Sequence, residues 1–123
     1  MLNNPKKIKT IIFDLDDTLY DCSGTLVLRG RRGVAKTIAK LINGSEDEAY
    51  QLQLETEEKY GIRVNIYEKI IELYNLPSTC AKEFLREFVQ VDISNITLFP
   101  DVIDTLIQLK TLGYKRILVS SGD

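Results

Sequence analysis

The segment from Ile8 to Phe13 runs straight into Asp14-Leu15-Asp16-Asp17-Thr18, and no other stretch constrains the fold of this chain as much. Ile11, Ile12 and Phe13, helped by Ile8, are β-branched or aromatic and nearly continuous, the pattern of a strand buried on both faces of a parallel sheet. The acids then fall at the carboxyl end of that strand. In open α/β sheets ligands bind at that edge, so clustered carboxylates there call for more than solvation. Such groups repel one another, and oxygen-rich clusters commonly recruit Mg2+ or Ca2+ to neutralise them.

The spacing gives each acid a role. On an extended segment Asp14 and Asp16 project from one side, while Leu15 points to the other. Asp14, at the last strand position, suits nucleophilic attack on phosphorus, because an aspartyl-phosphate intermediate divides a hard hydrolysis into two easier steps. Asp16 suits protonation of the leaving oxygen and later activation of water. Thr18 is small enough to hydrogen-bond back onto Asp14 and fix its rotamer. Read purely structurally, Asp-Asp-Thr after a strand is a turn leading to a helix cap, and the buried strand ahead of it favours the chemical reading.

A second apolar strand pattern, Ile117-Leu118-Val119, ends in Ser120-Ser121-Gly122. Hydroxyls and unhindered backbone amides at such an edge suit a phosphate. Asp14-Leu15-Asp16-Asp17-Thr18-Leu19-Tyr20 resembles the first signature motif, DxDx(T/V), of the haloacid dehalogenase-like superfamily, and residues 115 to 123 resemble its second, a hydrophobic strand ending in Ser or Thr. The resemblance implies that Asp14 is the nucleophile and a Mg2+ ligand, that Asp16 is the acid/base with its backbone carbonyl on the metal, and that Ser120 binds phosphate beside Ser121 and Gly122. Asp16 argues for the phosphatase branch, since dehalogenases lack this acid and P-type ATPases carry Thr there.

Between the two motifs the pattern is helical. One helix is expected over Arg31 to Ile42, stopping at Asn43-Gly44, and a second opens at the Ser45-Glu46-Asp47-Glu48 capping box and ends at Gly61. A third covers Asn65 to Tyr74. A fourth follows Pro77, capped by Ser78 or Thr79, with Phe84, Leu85, Phe88 and Val89 on its apolar face. By the resemblance this insert is a substrate-selecting α-helical cap, with candidate hinges near Cys22 to Gly24 and Thr97 to Pro100. Pro100 and Asp101 start a further helix, with Val102, Ile103, Leu106, Leu109 and Leu112 facing inward and Gly113 as its stop.

The expected fold class is therefore α/β: a doubly wound parallel, Rossmann-like core, incomplete, with an inserted helical cap. The expected divisions are 1–21 for the first strand and motif, 22–97 for the cap, and 98–123 for the returning helix and strand. A complete member of the superfamily continues to a third motif with a lysine and a fourth with further acids, and neither is contained in these 123 residues. The expectation is thus the amino-terminal part of a Mg2+-dependent phosphohydrolase of a small phosphorylated metabolite, such as a nucleoside monophosphate or a phosphoglycolate-like compound, inactive by itself. The alternative is a non-catalytic binding or regulatory module that keeps the first half of the fold. A phosphoacceptor receiver domain fits poorly, because receivers need regular βα alternation.

Composition bounds the rest. The net charge of −2 gives no reason to expect nucleic acid as a partner, and the apolar runs are too short for a membrane span. The first seven residues lack the apolar region of a signal peptide, which makes the cytoplasm the default location. Histidine is absent, removing imidazole catalysis and most zinc sites. Cys22 and Cys80 have no CxxC spacing and read as packing residues. Arg29, Arg31, Arg32 and Lys36 read as a solvated helix face, and Tyr50, Tyr60, Tyr67 and Phe88 as core. Oligomeric state is not legible.

Overall fold

The computed structural model describes residues 7–121. Strand β1 (Thr10–Phe13) is followed by a π-helical turn (Ser23–Val27) and four helices, α1 (Leu28–Ile42), α2 (Glu46–Tyr60), α3 (Ile66–Leu73) and α4 (Cys80–Val89). Helix α5 (Val102–Thr111) and strand β2 (Lys115–Leu118) complete the order. The chain divides into two compact units, one of residues 24–94 and one formed by 1–23 together with 95–123.

The discontinuous unit carries the sheet. β1 and β2 pair in parallel, Thr10 opposite Lys115 and Phe13 opposite Leu118, and the Val119 amide continues the ladder to the Phe13 carbonyl at 2.8 Å. Helix α5 packs against β2 and connects back to it through Gly113, whose φ of +83° lies in the left-handed region that a helix exit favours. This is the mixed α/β, parallel architecture expected. Burial of the strands on both faces is not observed: Ile12 is 65% exposed and Leu118 54%. The described residues of this unit supply a single helix for the sheet, and one helix covers at most one face. For the same reason Ile103 and Leu112 are exposed, although the apolar stripe of α5 places them with Val102, which is buried.

Residues 24–94 form a four-helix unit with its own core. Val34, Ala35, Ile38 and Ala39 of α1 pack with Ala49 of α2, Ile70 of α3 and Cys80 and Phe84 of α4. Their spacing on α1 follows the 3.6-residue period, so one face of that helix is continuously apolar. Helix α1 starts at Leu28, a turn earlier than its sequence pattern indicates, because the Ser23–Val27 turn leads directly into it. It ends at Asn43, left-handed at φ 56°, whose amide bonds the Ala39 carbonyl. The capping box at the start of α2 is complete: Glu48 N–H donates to Ser45 Oγ, and Ser45 N–H donates to the Glu48 carboxylate. Helix α4 differs, since Thr79 makes no side-chain cap and the first turn is closed by backbone bonds from Cys80 to Pro77 and from Ala81 to Ser78.

A buried polar pair is threaded through this core. Gln53, fully buried, donates to the carbonyls of Arg31 and Ala49 and accepts from the Tyr67 hydroxyl at 3.1 Å. Every polar atom of its amide is thereby satisfied, as burial requires. Tyr67 also packs its ring on Phe84 and Phe88, and burial pushes its hydroxyl up to about 12, with Glu57 adding to the rise.

Candidate active site

The site is assembled by one tight turn. After Phe13 the chain leaves the sheet, and the amides of Thr18 and Leu19 both return to the Leu15 carbonyl, at 3.2 and 2.9 Å. That fold-back puts residues four apart beside each other. Thr18 Oγ1 donates to Asp14 Oδ2 at 3.0 Å, and Tyr20 Oη donates to Asp16 Oδ1 at 2.6 Å. Asp14 is exposed and Asp16 half-buried.

Asp17 turns the corner. It is left-handed at φ 55°, a conformation that Asp tolerates better than most residues, and its carboxylate accepts from both the amide (2.8 Å) and the hydroxyl (2.5 Å) of Ser23. Those two bonds hold its carboxyl below the usual range. Asp17 is therefore spent on the loop itself, while Asp14 and Asp16 each give one oxygen to a hydroxyl.

Tyr20 is the anchor of the turn. The residue is only 9% exposed, its backbone forms bridges with Asp16 and Leu98, and the Phe99 amide bonds the Leu19 carbonyl at 2.9 Å. The hydrogen bond to Asp16, a further one with the Cys22 thiol, and burial together push the tyrosine hydroxyl well above its ordinary range. It stays a protonated donor at any physiological pH. Burial pushes the Cys22 thiol up, a hydrogen bond with Tyr20 works against it, and the charge and hydrogen bond of Asp16 and the charge of Asp17 add to the rise. Cys22 and Cys80 are both free cysteines, Cys22 half-buried and Cys80 buried.

The parallel register places the second motif at the same sheet edge. Phe13 is opposite Leu118, so the residues that follow, Asp14 on one strand and Val119 then Ser120 and Ser121 on the other, emerge side by side. Both serines are exposed. Gly122, the third expected phosphate contact, lies outside the described residues.

Among the described residues no group of three or more acid, cysteine or histidine side chains is arranged to hold a metal. The donors present are hard oxygens from Asp14 and Asp16, which suits Mg2+, an ion usually held by one or two carboxylates together with waters and substrate phosphate. The residues thus fit part of a Mg2+ shell. A concavity of about 660 Å3 in the helical unit lies between the end of α1 and α2, with Asn43, Asp47 and Tyr74 in its wall, and includes no motif residue.

The cationic patch of α1 is largely occupied within its own unit. Arg29 donates to the carbonyls of Asp92 and Ser94, Arg31 pairs with Glu57, and Arg32 pairs with Asp47 and covers the Tyr50 ring at 4.0 Å. Two contributors to the site carried no sequence signal of their own: Tyr20, read only as part of a motif, and Ser23, six residues beyond Asp17. The spacing of four between Asp16 and Tyr20 was the available clue, because it matches that of Asp14 and Thr18.

Residues 8–123 match the sequence model of the haloacid dehalogenase-like hydrolases. The chain belongs to that family. It is 31% identical over 119 residues to a glyceraldehyde 3-phosphate phosphatase of Methanothermobacter thermautotrophicus, and 30% identical over 122 residues to one of Methanopyrus kandleri. Each alignment takes in 94% of this chain and 52% of the relative, so the chain spans about half the length of the curated relatives it matches. A crystal structure of a dehalogenase aligns with 96% of this chain and 53% of its own, at 17% identity and a TM-score of 0.40. Among the described residues no helix is long and apolar enough to cross a membrane.

Proposed function

We propose that the protein is a Mg2+-dependent phosphatase of the haloacid dehalogenase-like family that acts in the cytoplasm on a small phosphorylated metabolite through an aspartyl-phosphate intermediate. The observation that carries this reading is Asp14 itself: it follows the last residue of β1, is exposed, is held at Oδ2 by Thr18, and leaves the sheet beside β2, the strand that leads into Val119 and Ser120. A carboxylate fixed through one oxygen presents the other to an incoming phosphorus. Two relatives named as glyceraldehyde 3-phosphate phosphatases make a phosphorylated three-carbon aldehyde the first substrate to test, ahead of nucleoside monophosphates and phosphoglycolate.

Asp14 Oδ1 attacks the phosphorus and Asp16 gives a proton to the leaving oxygen. Asp16 then takes a proton from the water that hydrolyses the phosphoaspartate. Ser120 and Ser121 offer hydroxyls to the phosphate oxygens. Asp14 and the Asp16 carbonyl would hold Mg2+, which when bound would supply positive charge against the phosphoryl group. The helical unit, inserted between the two motifs, is the cap that selects the substrate.

In the intact protein, Asp14→Asn should abolish phosphate release and the phosphoenzyme detectable by intact mass, and chelation of Mg2+ should stop the wild type until the metal is restored. Normal turnover by Asp14→Asn removes the nucleophile assignment.

A further inference from the structure

The turn that follows β1 provides a separate hydroxyl for each of the two motif carboxylates. Thr18 bonds Asp14, and Tyr20 bonds Asp16. The second of these is the shorter and the more constrained. Thr18 is exposed, whereas Tyr20 is buried and its backbone is tied on one side to Asp16 and on the other to Leu98. A phenol locked in this way is a fixed donor, with little rotamer freedom left to lose when it orients a partner.

We infer that Tyr20 is the positioning residue for proton transfer by Asp16: its hydroxyl occupies Oδ1, so that the transferable proton resides on Oδ2 and the carboxyl plane is held in one orientation. This rests on the reading of Asp16 as the acid/base. In the first half-reaction the Asp14 Oδ1–phosphorus bond forms as the bond from phosphorus to the leaving oxygen breaks. The proton on Asp16 Oδ2 passes to that oxygen, and the alcohol departs neutral. In the second, water attacks the phosphorus, its proton returns to Asp16 Oδ2, and the Asp14–phosphorus bond breaks to give free phosphate. Tyr20 keeps its own proton throughout and donates to Oδ1 in both halves. A carboxyl free to rotate would divide its proton between two oxygens, and only one of them is aimed at the leaving group.

This division of labour predicts a dependence on the leaving group. A 4-nitrophenolate leaves readily without a proton, whereas an alkoxide does not. In the intact protein, Tyr20→Phe keeps the ring and removes the hydroxyl. Its kcat should fall about ten- to a hundredfold on glycerol 3-phosphate, a part of the range that acid/base catalysis supplies. On 4-nitrophenyl phosphate the fall should be less than about threefold, with KM little changed for either ester, because only a transition-state interaction is lost. Thr18→Ala, which loosens the nucleophile rather than the acid, should slow both esters alike.

Equal losses on the two esters in Tyr20→Phe, or no loss on either, overturn the inference. Asp16→Asn separates this failure from that of the underlying reading. If Asp16→Asn selectively slows glycerol 3-phosphate and Tyr20→Phe does not, Tyr20 alone is misassigned. If Asp16→Asn spares both esters, the acid/base role of Asp16 falls and the role of Tyr20 falls with it. A melting temperature for Tyr20→Phe within a few degrees of the wild type accompanies the expected result, and the selectivity between esters is itself a readout that general destabilisation does not produce.

Discussion

At the scale of single residues, this chain repeatedly uses a short side chain-to-backbone or side chain-to-side chain bond to fix a carboxylate. Thr18 on Asp14, Tyr20 on Asp16 and Ser23 on Asp17 do so in the motif turn, and Ser45 does so on Glu48 at the start of α2. Glu48 offers a clean test of what such a bond contributes. The Ser45 amide and hydroxyl hold its carboxyl below the ordinary glutamate range, so the stabilisation is present above the unfolded value and is lost as pH falls through the folded one. Glu48→Gln should therefore lower the melting temperature at neutral pH, and the gap from the wild type should close as pH falls below the ordinary glutamate range and the carboxyl takes up its proton. Thermal melts of both proteins across that range check this, and a gap independent of pH would place the effect elsewhere. The sequence announced the Ser45 box and the Thr18 bond because each lies within one local motif. The setting of Tyr20 was hidden, since it depends on the segment around Leu98 arriving from the far side of the helical insert.

At the scale of elements, helix boundaries followed capping chemistry where a cap was local, and strand burial did not follow apolar content. Asn43, Ser45, Gly61 and Asn65 mark ends that the structure places where their residue types indicate. Ile12 and Leu118 are exposed despite their type, because burial is a property of what covers a strand and not of the strand. The packing of α1 on α4 shows another feature that sequence leaves silent. A Cβ placed on Gly30 would lie 2.7 Å from the Phe88 carbonyl oxygen and 2.8 Å from its ring, so the two helices meet at a distance only glycine allows. Gly30 looks in sequence like a helix-weakening residue within a basic run, and its reason is tertiary. Gly30→Ala should destabilise the helical unit by about 1–3 kcal/mol, the usual range for overpacking, despite alanine's better helix propensity. Urea unfolding followed by far-UV circular dichroism measures this, and a neutral or stabilising result would mean that the helices part readily.

At the scale of the whole molecule, burial is divided unequally. The continuous cluster from Val34 to Phe84 lies wholly within residues 24–94, whereas the unit bearing both motifs has Tyr20 and Val102 as its buried apolar side chains among the described residues. Apolar area removed from water is the main source of stability, so the two units differ in how much of it each has. The motif unit is held instead by the β1–β2 ladder, the α5 contact with β2 and the bridges of Tyr20, most of them near solvent. Backbone bonds with little apolar cover open locally at low free-energy cost. Native-state hydrogen exchange on the 123-residue chain should accordingly find its slowest amides in α1, around Ile38, and much faster exchange at Ile12 and Ile117, although β-ladder amides are usually among the best protected. Equal protection in the two units would require a source of stability for the sheet other than the burial seen in it, and would contradict the ranking of the units by apolar core.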